Sequence, residues 1–514
     1  MNNRQKYLSW LIVTAFSVFY FIDVFSRASI KYFWFDELLT LYLSRIPSLH
    51  SLWLILLTAV DSNPPGFHLL TRATESIFGE GLVATRLPEI LAFWILCLCL
   101  FYLVKRRAGL LSASIALTLP MLTGAYYYAY EARPLIIIVA LAALAWVAWD
   151  RAWESPVQRT EWLIAFSLTL FTSYMLHCYA VLLVIPFALA ELFHYLHTRQ
   201  VRRSVWLYLL VPLLPTMALY LPLARAFRAI SRGTDFLHSF PPNWPSALQF
   251  YSTLVGPCIE VLLLGIVLLA INGRIEAGEP NSSIGLTSED VVLSAGFAAL
   301  PVIGMLLGNV VHSPYFGRYF LSALVGIVIP FAVLTGARSR AGINWRGAAV
   351  QAVIIAGLGY NFARLVVHRV EGTGPILVEP STGIRIADTP GQPLEVYPFL
   401  SSVRAENLPV AVLTPWDFFY LAEYAPDLRR RLYLVHSSDT DATIRTLAAF
   451  KPFSPVDYNL PLLMRDFAAS TPDFYVQSNP AKSEEFARLS SLAGVEKLRA
   501  DGANLFARMR TESK

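Results

Sequence analysis

Asp36 and Glu37 are adjacent carboxylates in the run Tyr32-Phe33-Trp34-Phe35-Asp36-Glu37-Leu38-Leu39, which begins a few residues after the first long apolar stretch of the chain. An acid in an aromatic, partly dehydrated setting is costly unless it pairs, binds a ligand or exchanges protons, and carboxylates are common general bases. Two readings follow: proton-transfer chemistry just outside a membrane, or two acids at a helix start. The same question attaches to Asp61-Ser62-Asn63-Pro64-Pro65 with His68, to Arg86, to Tyr130-Glu131-Ala132-Arg133-Pro134, to His177 between Tyr174 and Tyr179, and to Arg318 beside Tyr319. Each has a local alternative. Asp61 and Asn63 before a double proline suit the start of a helix, Glu131 and Arg133 suit a local ion pair or cap, and His177 alone suits packing at an interface. Asp439-Thr440-Asp441 has the look of a metal motif, but its hydrophilic surroundings fit a surface turn or helix start better.

The elements that must position these groups are mostly membrane spans. Of 514 residues 55% are hydrophobic and only 15% charged, far from the balance of a soluble globular protein, so the chain reads as a multi-pass membrane protein. Its net charge of +5 is not gathered into a basic stripe, which excludes nucleic acid as a partner. Cys97, Cys99, Cys178 and Cys258 fall in or beside apolar stretches with no CxxC pair, so neither zinc nor a disulfide framework is indicated. The first apolar run, 7–25, follows Arg4 and Lys6 and lacks a small-residue cleavage site near Arg27, which marks a retained signal anchor. Further runs of spanning length lie at 88–104, 109–128, 134–149, 162–177, 179–195, 205–224, 258–272, 291–311, 318–335 and 348–366.

Positive charge marks alternate connections: Lys105 to Arg107; Arg151 and Arg159; Arg199, Arg202 and Arg203; Arg274; Arg338, Arg340 and Arg346. The positive-inside rule makes these loops and the N-terminus cytoplasmic, and an odd number of crossings puts the chain after about residue 365 outside. The loop 26–87 is then external, and its apolar pieces 49–60 and 67–78 suit helices lying at the interface. Beyond it, 370–514 is hydrophilic, with β-prone Val410-Ala411-Val412-Leu413 and Leu432-Tyr433-Leu434-Val435 beside a helical stretch at 416–424. Turn-forming Glu371-Gly372-Thr373-Gly374-Pro375 and Thr389-Pro390-Gly391-Gln392-Pro393 mark a linker before it. The expected architecture is a mainly α polytopic membrane protein of about eleven transmembrane helices over 1–366, with an external α/β domain over 367–514. Under this topology the candidate residues collect on the outer face, and ionisable groups at membrane depth are functional candidates because each needs a partner or a wet cavity. Arg225, Arg228 and Arg232 also follow a span on that side, where positive charge is disfavoured. Either a lipid phosphate meets them, or they belong to a long translocated loop on which the rule has little force.

Phe35-Asp36-Glu37, Asp61-Ser62-Asn63-Pro64-Pro65-Gly66-Phe67-His68-Leu69-Leu70, Thr85-Arg86-Leu87-Pro88, Tyr130-Glu131-Ala132-Arg133-Pro134 and Phe316-Gly317-Arg318-Tyr319-Phe320, in that order, resemble the signature of bacterial GT-C glycosyltransferases. The chain is similar to the protein O-mannosyltransferase and lipid A aminoarabinose transferase group, glycosyltransferase family 39-like, over about 1–366. The resemblance implies a GT-C fold in the bacterial inner membrane, a polyprenyl-phosphate-linked sugar donor, a cell-envelope acceptor, and transfer with inversion on the external face. It makes Asp36 the general base and Glu37 a residue that orients the acceptor. It sets Glu131 and Arg133, with Tyr130, in an external loop against the active site, and makes Arg86 and Arg318 phosphate or loop contacts. Asp61, His68, His177, Arg228 and Tyr319 complete the expected substrate-binding set. The chain departs from the group where relatives commonly carry an aromatic pair after the double proline and it has Gly66-Phe67-His68.

The implied chemistry needs one base and no protonating acid, because a phosphate is already a competent leaving group and cationic side chains can take up its charge. No cofactor is expected, and a divalent metal is left open since the distances among Asp36, Glu37, Glu131, His68 and His177 are not legible in sequence. The alternative is a transporter that moves lipid-linked sugars without chemistry. That reading expects ionisable groups at mid-membrane depth and duplicated, broken helices, whereas here the candidates lie at helix ends and no duplicated half is visible.

Overall fold

The structure is a computed structural model that describes residues 3–511 apart from 62, 232–239, 272–284, 337–344, 373–376, 379–384, 387–393, 395–396, 398, 437–461, 479–482 and 502–503. Asp439 to Asp441, Arg232, Arg274, Arg338, Arg340 and most of the two turn-forming clusters lie outside the described residues. Two compact units are formed, one from Met1–Ser29, Ala73–Leu221 and Phe236–Val367, the other from Ile30–Arg72, Pro222–Asp235 and His368–Lys514.

The first unit is helical. Among the described residues eight helices are long and apolar enough to cross a membrane, including Asn3–Ile30, Leu87–Ala108, Leu135–Glu154, Ser288–Val311 and Trp345–Glu371. These eight account for eight of the eleven apolar runs. The run at 109–128 is a pair of helical pieces, Leu110–Leu122 and Gly124–Tyr130, bent by 72°, which would make a ninth span. The runs at 162–177 and 318–335 form the helices Arg159–Leu176 and Ala323–Gly336, the second falling among shorter apolar helices because irregular backbone around Gly317–Phe320 uses up the start of the run. Close helix approach rests on small residues: a Cβ on Gly326 would sit 2.3 Å from the Ser294 carbonyl oxygen, so only glycine lets Ala323–Gly336 meet Ser288–Val311 there. At the start of Ser288–Val311 the Thr287 hydroxyl accepts from the Asp290 amide and the Asp290 carboxylate accepts from the Thr287 amide, a reciprocal cap. Asp290 also takes a two-pronged hydrogen bond from Arg107, at 2.9 and 2.5 Å, tying this helix to the end of Leu87–Ala108.

The second unit contains an α/β sheet. Strands β1 (Leu377–Val378) and β2 (Arg385–Ile386) form a small antiparallel pair. Strands β3 (Val410–Val412), β4 (Leu432–His436), β5 (Leu462–Leu463), β6 (Asp473–Ser478), β7 (Gly494–Asp501) and β8 (Asn504–Arg510) form a six-stranded sheet in the order β5-β4-β3-β6-β8-β7. The first four are mutually parallel, β8 pairs antiparallel with β6, and β7 pairs antiparallel with β8. All of β3 is buried, as expected of a parallel strand covered on both faces. Ala411, Val435, Phe467, Phe474, Val476, Leu489 and Met509 make the core on one side. The helix Pro415–Tyr424 leaves β3 directly, with Thr414 as its N-cap and Pro415 in its first turn.

Two acids in this part of the chain, Asp417 in the helix Pro415–Tyr424 and Asp473 in β6, titrate in opposite senses. Burial pushes the Asp417 carboxyl up, although hydrogen bonds from Thr414, Tyr397 and Gln477 work the other way. Asp473 is held down, chiefly by the Arg508 guanidinium, which bonds it at 2.7 and 3.0 Å, and further by Arg510, while burial works the other way. A depressed carboxyl stabilises the fold above its unfolded-state value and loses that contribution as pH falls through the folded value. Asp473→Asn should therefore lower the thermal midpoint of the full-length protein in detergent at pH 7, the difference from wild type shrinking as pH falls below the ordinary carboxylate range of about 3.9. A difference that stays constant down to pH 2 would contradict this linkage.

Candidate active site

In the second unit the Asp36 helix, Phe35–Ser44, begins after four residues of non-helical backbone. Its two acids sit in the first turn, where the positive end of the helix dipole favours them, but their environments differ. Glu37 is fully buried and its Oε2 lies 3.3 Å from Nζ of Lys31, which is also fully buried. The same Oε2 is 3.5 Å from the Trp34 amide, reaching back over the turn. Asp36 is only half-buried. Of the two neighbouring carboxylates, one is committed to a buried cation and the other reaches the surface.

Asp61 is a turn organiser. Its Oδ1 accepts from the Asn63 amide at 3.2 Å and from the Asn63 side chain at 3.0 Å, which shapes the approach to the helix Pro65–Phe78. His68 Nε2 lies 3.6 Å from Asp61 Oδ2 with both groups buried, an ion pair whenever the imidazole is protonated. Arg72, one turn on, donates to the Ser44 carbonyl at 2.6 Å and so ties Pro65–Phe78 to the end of the Asp36 helix. Arg228 is exposed near the end of Leu213–Ser231.

In the first unit the remaining candidates occupy helix ends. Arg86 is fully buried and its guanidinium donates to the Ala28 carbonyl at 2.9 Å, bracing Leu87–Ala108 against the end of Asn3–Ile30. Tyr130, Glu131 and Arg133 are buried at the corner between Gly124–Tyr130 and Leu135–Glu154. Gly124 opens that corner, since a Cβ there would lie 2.3 Å from the Thr253 carbonyl oxygen. His177 ends the helix Arg159–Leu176 in an extended conformation, and its Nδ1 accepts from the Tyr179 amide at 3.1 Å, so in the neutral ring Nε2 carries the proton. Its ring packs edge-on against Tyr319 with centroids 4.5 Å apart, and the Arg318 guanidinium lies 5.8 Å from the Tyr319 ring centre. Within their units, then, His177, Tyr319 and Arg318 come together, as do Asp61 and His68. Among the described residues no group of three or more His, Cys, Asp or Glu is placed to hold a metal ion.

Several residues of these sites carried no flag in sequence. Asp23 sits inside the first apolar run, yet its carboxylate takes hydrogen bonds from Arg27 at 2.8 and 3.2 Å and from the Tyr126 hydroxyl at 2.5 Å. The Asp23–Arg27 spacing of four was the available signal. Glu89, fully buried in the first turn of Leu87–Ala108, was absorbed into an apolar run. Lys31 has no sequence signal that would assign it to Glu37.

Residues 62–224 match the family model described as dolichyl-phosphate-mannose-protein mannosyltransferase. That segment holds Asn63, Arg86, Tyr130, Glu131, Arg133 and His177, whereas Asp36 and Arg318 lie outside it. No curated protein matches the chain. The crystal structure of ArnT from Cupriavidus metallidurans in the apo state is similar at a TM-score of 0.55 and 11% identity, covering 97% of each chain. The same protein bound to undecaprenyl phosphate is similar at 0.54 and 13% identity, again over 97% of each. The fold is of the GT-C type. At such low identity the likeness is one of fold, and within the GT-C fold the buried Lys31–Glu37 pair is a feature of this chain's own geometry.

Removing one partner of a buried ion pair strands the other charge, at a cost of about 3–5 kcal/mol, while replacing both by apolar groups costs far less. Glu37→Leu or Lys31→Met alone should lower the thermal midpoint in detergent strongly, and the double variant should recover most of the loss. Losses that simply add would show that the two side chains do not depend on each other.

Proposed function

We propose that this chain is a membrane glycosyltransferase that moves a sugar from a polyprenyl-phosphate-linked donor to a hydroxyl of a cell-envelope acceptor, with Asp36 as the general base. The reading draws on the family match over 62–224 and the GT-C fold, and it assigns the reaction to the external face of the bacterial inner membrane, with the N-terminus cytoplasmic and the hydrophilic C-terminal part outside. The observation that carries the choice of base is the inequality of the two acids: Glu37 is buried against Lys31, whereas Asp36 is the half-buried carboxylate at the helix start. Asp36 takes the proton of the acceptor hydroxyl as its oxygen attacks the anomeric carbon. The carbon–oxygen bond to the phosphate breaks, the lipid phosphate leaves with the electron pair, and the configuration inverts. Glu37 acts on this step indirectly, by holding the turn before Asp36 through Lys31 and the Trp34 amide. The donor's phosphate is assigned to arginine side chains, which match phosphate geometry through paired N–H donors, with Arg228 and Arg318 as the candidates.

Purified protein given a cell-envelope acceptor fraction together with undecaprenyl-phosphate-linked aminoarabinose or mannose should release undecaprenyl phosphate from one of the two donors. Asp36→Asn should cut that release by about 10²–10⁴-fold with the thermal midpoint and donor binding retained. Wild-type turnover in a folded Asp36→Asn protein would remove Asp36 from the role. Arg228→Ala and Arg318→Ala test the phosphate assignment separately. Weaker donor binding is expected for each, and unchanged affinity in both would leave the phosphate to other groups.

A further inference from the structure

The four residues before the Asp36 helix are not helical; the Trp34 carbonyl accepts from the Leu38 amide of the helix, but the backbone groups before it need partners from elsewhere. Phe33 finds both of its partners on one side chain 391 positions away: the Tyr424 hydroxyl accepts from the Phe33 amide at 2.8 Å and donates to the Phe33 carbonyl at 3.2 Å. Tyr424 is the last residue of Pro415–Tyr424, the helix that leaves β3 of the C-terminal sheet. That helix also touches the Asp36 helix directly, and Phe419 packs against both Phe35 and Tyr42. Trp416 stands edge-on to Phe35 with centroids 5.4 Å apart, and Glu423 accepts from the Tyr42 hydroxyl at 2.7 Å. Burial, and then Glu423, push the Tyr42 phenol well above its ordinary range, which keeps it a donor at every working pH. The contacts grip the helix that carries Asp36 before its start, at its first residue and in its last turn.

We propose that Tyr424 is a positioning residue for Asp36, and that the C-terminal α/β part of the chain serves the reaction by holding the Phe33–Asp36 turn in register through this hydroxyl. The proposal rests on the reading of Asp36 as the base. A phenylalanine at 424 would keep the ring contacts with Tyr32 and Tyr420, whose centroids lie 5.1 and 4.7 Å away. The hydrogen bonds to the Phe33 backbone require the oxygen. A general base must lie within hydrogen-bond reach of the proton it removes, and a shift of about 1 Å can cost about 10²-fold in rate without weakening substrate binding.

The test is Tyr424→Phe in the full-length protein, read two ways. Turnover with undecaprenyl-phosphate-linked aminoarabinose and mannose should fall about 10–100-fold in kcat with the donor KM nearly unchanged, and hydrogen exchange at amides 33–37 should quicken. An unchanged kcat overturns the proposal whatever the exchange does, and a lower kcat without faster exchange overturns it as well. If Tyr424→Phe does not fold, Tyr42→Phe, which removes the contact with Glu423, should lower kcat about 10-fold, and a wild-type kcat there overturns the proposal. Asp36→Asn, run in parallel, separates the two claims. Activity retained in that variant defeats the base, while the exchange readout still reports whether Tyr424 holds the turn.

Discussion

Lys31 and Glu37 have no contact with solvent and face each other at 3.3 Å. A buried pair of this kind gains little net stability over an apolar pair, because desolvating two charges offsets most of their attraction. What it supplies is a constraint. Neither partner can move without stranding the other, so the backbone between them, Tyr32 to Asp36, is bounded on both sides by the pair. Asp36 adjoins this constraint and is only half-buried, and so combines a fixed backbone with a side chain that reaches the surface. The Tyr424 hydroxyl acts on the same few residues from the C-terminal sheet.

The helical unit solves a related problem. Charged groups within an apolar bundle are tolerated when each is tied to a partner, and the described ties recur at helix ends. Arg86 caps the Ala28 carbonyl, Asp23 takes both Arg27 and Tyr126, and Arg107 joins Asp290 and Asp150. These bonds set where helices begin and end relative to one another, a task apolar packing performs poorly because it is non-directional. Glycines at Gly326 and Gly124 then let the backbones approach at the points where a Cβ would collide.

Much of this architecture is legible in the sequence, for reasons that differ by element. Spans are readable because length and hydropathy are local properties. Eight of the eleven runs became helices long and apolar enough to span; the run 109–128 was bent and the run 318–335 shortened where Pro, Gly and polar residues interrupt the apolar pattern, and the run 162–177 became the helix Arg159–Leu176. The runs 410–413 and 432–435 became β3 and β4 because continuous apolar residues suit parallel strands covered on both faces. The helical stretch at 416–424 became Pro415–Tyr424, capped by Thr414. What could not be read are the partners. Nothing in a single sequence joins Lys31 to Glu37 or Phe33 to Tyr424, since those contacts depend on how the chain returns in space. For the same reason Asp36 and Glu37 look equivalent as residues and differ only once burial is known.

Everything proposed for Asp36 requires that position 36 lie on the outer side of the membrane. The direct measurement is labelling of a cysteine at 36 with a membrane-impermeant thiol reagent in intact cells, in a protein whose Cys97, Cys99, Cys178 and Cys258 have been replaced. Modification from outside without permeabilisation is the expected result. Modification that appears only after the membrane is opened would place the carboxylate in the cytosol and contradict the assignment of glycosyl transfer to this residue.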